Sequence, residues 1–220
     1  MRKNNNNHNH SIYNFQPRPK TDNQKYYLES IENSFITICD GPAGTGKTLL
    51  SCYCAVKALV EGKIERIIVT RPAIEACGER IGYVPGNASE KMEGYTAPVL
   101  ENFKKILDFN TYNKIKQQIE VIPMAFMRGR DFDNCFVLVE EAQNCSIDQF
   151  RMILTRITDR SKMVISGDIE QSDMRGKCCL DEVGTALKDI DGITYIKMDN
   201  EDIVRSKYIN LILNKLQDIK

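Results

Sequence analysis

The sequence predicts an α/β fold with a mostly parallel central sheet flanked by helices on both faces. Three observations carry this expectation. Short apolar runs punctuate the chain: FITIC, RIIVT, IEVIP, FVLVE, KMVIS and ITYIKM. They are near-continuous apolar stretches rather than alternating ones, as strands buried on both faces are. Segments with helical spacing separate them, and polar motifs follow the strands, where ligands bind in such sheets.

Each element can be justified in chain order. Residues 1–18 are rich in Asn, lack the apolar centre of a secretion signal and are expected to form a disordered tail before a single domain over 19–220. FITIC (Phe35–Cys39) is a buried strand. After it, Leu49, Cys52, Tyr53, Val56, Leu59 and Val60 recur at helical spacing until Gly62. RIIVT (Arg66–Thr70) is stopped by Arg71-Pro72. Val99, Leu100, Phe103, Ile106 and Leu107 mark the next helix, with Pro98 expected near its first turn. IEVIP and FVLVE follow as strands. Ser146-Ile-Asp-Gln149 is a capping box opening a helix with Ile147, Phe150, Ile153, Leu154 and Ile157 on one face. KMVIS, a helix over Leu180–Ile190, the strand ITYIKM and a terminal helix over Val204–Leu216 complete the pattern.

Composition excludes several classes. Lys plus Arg number 30 and Asp plus Glu 30, so any nucleic-acid surface must be a local patch. No run is long and apolar enough to span a bilayer, and a cytoplasmic protein is expected. The 8 cysteines sit mostly in apolar runs without a CxxC, and the 2 histidines lie in the Asn-rich tail, so buried free thiols are expected rather than disulfides or a metal cluster.

The chemistry concentrates after the first strand. Gly41-Pro42-Ala43-Gly44-Thr45-Gly46-Lys47-Thr48 is a complete P-loop pattern, so the sheet is expected to be that of a P-loop NTPase. Its backbone N–H groups and the start of the next helix suit phosphate. Lys47 is expected to reach the β- and γ-phosphates of ATP, and Thr48 to hold Mg²⁺. FVLVEE supplies two carboxylates. Glu140 is expected on the magnesium, through water, and Glu141 on the attacking water. Gln143 points to the same site. In SGDIEQSD, Gln171 is expected at the γ-phosphate or the water, supported by Asp168.

GPAGTGKT, VTRP, MAFMRGRDF, EEAQN, LTRI, SKMVISGDIEQSD and DIVRSKYI together resemble a PhoH-family ATPase, related to the first motor domain of superfamily 1 helicases. The resemblance runs from about Pro19 onward. It implies that Gln24, in PKTDNQ, reads the adenine edge, and that Glu140 stands where the family usually has Asp. Nothing resembles an added nuclease or RNA-binding domain, so the short stand-alone form common among phages is expected. Superfamily 1 motors take a catalytic arginine from a second domain. A homo-oligomeric ring, such as a hexamer, would supply it from a neighbour, with Arg205 in DIVRSK as first candidate and Arg128, Arg130 and Arg156 as alternatives.

Arg71 and the Met127-Arg128-Gly129-Arg130 stretch suggest single-stranded RNA or DNA, RNA favoured, with Tyr83, Tyr95 and Phe126 as stacking candidates. The expected function is ATP binding and hydrolysis coupled to nucleic-acid remodelling. The alternative is an ATP-binding switch with little turnover. A small-molecule kinase with a lid over Ala76–Gly94 fits less well, because EEAQ and GDIEQ suit water activation.

Overall fold

In the computed structural model, the described residues are 12–72, 88–173, 178–204 and 215, with backbone only over 88–96. Six strands, β1 (Ile36–Asp40), β2 (Arg66–Thr70), β3 (Ile119–Val121), β4 (Cys135–Val139), β5 (Lys162–Gly167) and β6 (Ile193–Lys197), form one sheet in the order β3-β2-β4-β5-β1-β6. Every pairing is parallel. The register aligns Thr70 with Val139, Val139 with Ile165, and Asp40 with both Gly167 and Lys197, so the carboxyl ends share one edge.

Among the described residues, six helices cover the faces: α1 (Asp22–Asn33), α2 (Lys47–Val60), α3 (Ala88–Ile106), α4 (Phe109–Ile115), α5 (Ile147–Leu154) and α6 (Leu180–Leu187). Strand side chains alternate between two cores. Cys39, Phe136 and Leu138 pack with Tyr27 of α1, Val56 of α2 and Phe103 of α3. Ile38, Val137 and Val139 pack with Phe150 and Ile153 of α5 and Val183 of α6. Both faces of the central strands are therefore dry, which is why their sequences read as unbroken apolar runs. Among the described residues, no helix is long and apolar enough to cross a membrane, and the cysteines are free, with Cys39, Cys52, Cys54, Cys135 and Cys145 buried.

Some sequence expectations shift. Helix α1 has no counterpart among them, because its amphipathic face rests on few apolar residues: Tyr27, Ile31 and the partly buried Leu28. Helix α3 begins ten residues before Pro98, which lies inside it rather than in its first turn. The packing of Val99, Phe103 and Ile106 outweighs the one lost hydrogen bond. Helix α5 ends at Leu154, so Ile157 is not on it and instead bridges to Phe132. Within the segment expected as a tail, Tyr13 bridges Leu107, and Asn14 donates to the carbonyls of Ile106 (2.9 Å) and Leu107 (2.7 Å), capping the end of α3. The terminal helix expected over Val204–Leu216 lies almost wholly outside the described residues, as do the lid segment up to residue 87 and Tyr83.

Candidate active site

The P-loop pattern bridges β1 and α2. Gly46 is left-handed (φ 85°) at the N-cap of α2, a conformation that a side chain disfavours, and it turns the loop into the helix. Lys47 Nζ donates to the carbonyls of Gly41 and Pro42 (2.9 Å), so the ammonium lies across the cradle. Ala43, Gly44, Gly46, Lys47 and Thr48 line a cleft of about 590 Å³.

The facing wall comes from β4 and β5. Glu140 follows β4, and its Oε2 accepts a hydrogen bond from Thr48 Oγ1 at 2.6 Å. The carboxylate is 7% exposed, and Oε1 has no hydrogen-bond partner among the described residues. Burial pushes the Glu140 carboxyl above its ordinary range. The Thr48 hydroxyl opposes this, Ser166 tempers it without closing a hydrogen bond, and Glu141 adds to it.

Glu141 adopts a left-handed backbone (φ 56°), uncommon for a side-chain-bearing residue, and starts the turn Ala142–Asn144. That turn folds Gln143 back. Gln143 Nε2 donates to Glu141 Oε2 (2.7 Å), and Gln143 Oε1 accepts from Asp168 N–H (3.0 Å). Asp168 Oδ2 in turn accepts from Ala43 N–H in the loop (3.0 Å). Three strand ends are thus tied into one hydrogen-bonded chain, with Glu141 exposed in the cleft and Gln171 beside it. The capping box at Ser146 and Gln149 anchors the following helix.

The structure therefore brings Lys47, Thr48, Glu140, Glu141 and Gln171 around one cleft, with Gln143 and Asp168 bracing it. Gln24 is placed differently. It is buried, does not line the cleft, donates from Nε2 to Thr45 O (3.0 Å) and accepts from Lys20 N–H on Oε1 (2.7 Å). Arg205 lies outside the described residues, although Val204 beside it lines the cleft and donates its N–H to Gly44 O (3.2 Å). Arg128 and Arg130 follow β3, four strands from β1, or about 19 Å at ordinary strand spacing. Arg130 approaches Glu120 (3.9 Å). Arg156 pairs with Asp131 (3.7 Å) at the amino end of β4, the opposite edge of the sheet. None of these three reaches its own cleft.

Sequence reasoning missed Lys105, on the last turn of α3, which also lines the cleft. It belongs to no motif, and only the fold brings it there. It also missed Asp40, whose Oδ1 accepts from Ile169 N–H (3.1 Å) and whose carboxyl burial pushes upward.

Comparison with known proteins agrees with this geometry. The family described as PhoH-like protein matches residues 16–217. A PhoH-like protein of Bacillus subtilis is 40% identical over 200 residues, covering 89% of this chain and 62% of that protein. One from Mycobacterium tuberculosis is 41% identical over 201 residues, covering 90% and 57%, and Protein PhoH of Escherichia coli is 36% identical over 189 residues, covering 83% and 53%. The chain thus spans somewhat over half the length of these relatives. Among solved structures, the large terminase of a thermophilic bacteriophage superposes with a TM-score of 0.59 at 11% identity, over 91% of this chain and 50% of that one. The Pyrococcus furiosus Hef helicase domain superposes with a TM-score of 0.52 at 14% identity, over 86% and 39%. These two show the fold, that of helicase-type P-loop NTPase domains. With its family pattern matched from residue 16 to residue 217 and carried on that fold, the chain belongs to the PhoH-like protein family.

Proposed function

We propose that the protein is a Mg²⁺-dependent ATPase that couples hydrolysis to the remodelling of single-stranded nucleic acid, with RNA the first substrate to test. One observation supports this above the others. Glu140 bonds Thr48 beneath the cradle, while Glu141, its neighbour, is held in the open cleft by Gln143. This separates a metal-side carboxylate from a water-side one. The donor set, a hydroxyl and a carboxylate with a free buried oxygen, suits a hard cation such as Mg²⁺. When bound by Thr48 and Glu140, the metal would offset phosphate charge.

The chain's own residues would supply the rest. Backbone N–H groups of the loop and Lys47 would hold the β- and γ-phosphates, with the Lys47 ammonium exchanging carbonyl oxygens for phosphate oxygens. Glu141 would orient the attacking water and Gln171 would steady it. Gln24 is proposed to reach the adenine edge through the N–H and the oxygen lone pair that its backbone bonds leave over.

A strand of nucleic acid would cross the same edge of the sheet at Arg71, after β2, and at the loop after β3, where Phe126 (64% exposed) and Arg128 offer a stacking face and a cation. The catalytic arginine is proposed to come from a neighbouring copy in a ring, with Arg205 as first candidate. Terminases and helicases of the same fold lend this direction without deciding the substrate.

The test is phosphate release from ATP, with and without single-stranded RNA. Release should need Mg²⁺ and rise with RNA. ATP binding with no release above the Lys47→Ala background would favour a second reading, a nucleotide switch with little turnover. That reading draws support from the buried, upward-shifted Glu140 carboxyl already bonded to Thr48.

A further inference from the structure

Two chain segments far apart in sequence meet behind the cradle. Asp202, 2% exposed, is the point where they join. Its Oδ1 accepts from Thr21 Oγ1, and its Oδ2 accepts from Asn23 Nδ2 (2.8 Å) and from Asp199 N–H (3.0 Å). Burial alone would raise the Asp202 carboxyl, yet the donors from Thr21, Asn23 and Asp199 together hold it below its ordinary range. The group is therefore an anion tied on several sides.

Two arms run from this carboxylate to the loop. Along the first, Thr21 caps α1 by accepting Gln24 N–H (3.2 Å), and Gln24 Nε2 donates to Thr45 O (3.0 Å). Along the second, the turn Asn200–Asp202 leads to Val204, whose N–H donates to Gly44 O (3.2 Å). The two arms grip consecutive carbonyls of the phosphate loop. In a trans peptide the C=O and the following N–H point in opposite directions. Holding the oxygens of Gly44 and Thr45 from outside therefore fixes the N–H groups of Thr45 and Gly46 away from the arms.

We propose that Asp202 is a positioning residue for the phosphate cradle, the pin of a two-armed clasp that orients the 44–45 and 45–46 peptide planes toward the bound triphosphate. The proposal rests on the nucleotide site assigned above. Asp202 touches no substrate in this scheme. It acts through Thr21, Gln24 and Val204.

The decisive variant is Asp202→Asn, which keeps the shape but removes the charge and one of the two oxygens that accept from Thr21, Asn23 and Asp199. Binding of Mg·ATP and of Mg·tripolyphosphate would be followed by calorimetry at a temperature where circular dichroism shows the variant folded. Both affinities should fall together, by about tenfold, the size expected for one charged hydrogen bond. Turnover at saturating ATP should fall less than affinity does, since Glu141 and Gln171 are untouched. If Asp202→Asn does not fold, Val204→Pro serves instead. It deletes the N–H to Gly44 and changes a side chain that lines the cleft, for which Val204→Ala is the control, and the extended backbone of Ile203 accommodates a following proline.

Unchanged binding of both ligands beside a lowered melting temperature would overturn the proposal. So would a loss confined to ATP with tripolyphosphate unaffected. A wild-type protein that binds neither ligand would instead overturn the nucleotide site itself.

Discussion

Gly167→Ala probes the hydrogen-bonded chain across the strand ends. Gly167 closes β5, and its backbone is not left-handed, so alanine costs nothing conformationally. The cost is steric. A Cβ there would lie 2.7 Å from Gln143 Oε1, 2.8 Å from Gln143 N and 2.7 Å from Leu180 Cδ2. Leu180 can rotate away. The Gln143 backbone cannot, because its turn is closed by Asn144 N–H on Glu141 O (3.0 Å). The turn must lift, breaking the 3.0 Å bond from Asp168 N–H and loosening the 2.7 Å bond to Glu141. Overpacking costs about 1–3 kcal/mol, and the lost hydrogen bond adds about 1 kcal/mol. At roughly 2–4 °C per kcal/mol for a chain of this size, the melting temperature should fall by roughly 5–15 °C. Turnover should fall by about 10- to 100-fold as Glu141 loses its orientation, with Mg·ATP still bound. Urea unfolding and phosphate release at saturating ATP measure the two effects. A variant with the wild-type midpoint and turnover would show that the Gln143 turn does not position the site.

Further substitutions separate the roles at the cleft. Lys47→Ala should abolish tight ATP binding or turnover, since backbone N–H groups cannot replace its charge, and nucleotide titration reads this directly. Glu141→Gln should keep Mg·ATP bound while single-turnover hydrolysis collapses, whereas Glu140→Asp should leave hydrolysis nearly unchanged; equal losses would merge their roles. The nucleotide-free protein should carry a pH signature of Glu140. Its folded carboxyl titrates above the ordinary value of 4.5, so its contribution to stability is present below that value and lost as pH rises through the folded one. Glu140→Gln should therefore melt higher than wild type near neutral pH, with the difference vanishing in acid. Mixing Arg205→Ala with Lys47→Ala subunits should restore part of the ATPase activity if neighbours share a site, and a protein that hydrolyses ATP normally as a monomer at every concentration would refute that arrangement.

The strands were legible because β1, β2, β4 and β5 are buried on both faces, and the P-loop was legible because its residues adjoin one another. The Ser146 capping box was equally local. Helix α1 was not legible as a helix, since Tyr27 and Ile31 are a sparse apolar stripe, although Thr21-x-x-Gln24 has the same capping spacing as Ser146 and Gln149. Pro98 misled because propensity weighs one residue while packing weighs the whole face of α3. The cleft was only partly legible. Glu140 and Glu141 sit in a contiguous motif, but the burial of one on Thr48 and the exposure of the other in the cleft accompany the left-handed turn at Glu141, which residue type does not announce. Lys105 and Asp202 come to the site by tertiary placement alone, and Asp40, directly before the loop, belongs to no motif.

The strand order also sets when the cradle can form. β1, which carries it, pairs with β5 and β6 and with none of β2, β3 and β4. Residues 36–40 thus wait for partners at 163–167 and 193–197. During synthesis, β2, β3 and β4 can assemble first, since they pair among themselves, while β1 and the amphipathic helix behind it remain without a sheet. Contacts of such long sequence separation close slowly, and an apolar strand held open is a hazard for a nascent chain. Nucleotide therefore meets a finished phosphate loop only after the last strand has emerged, and a chain interrupted before β5 would display the P-loop sequence without the sheet that shapes it.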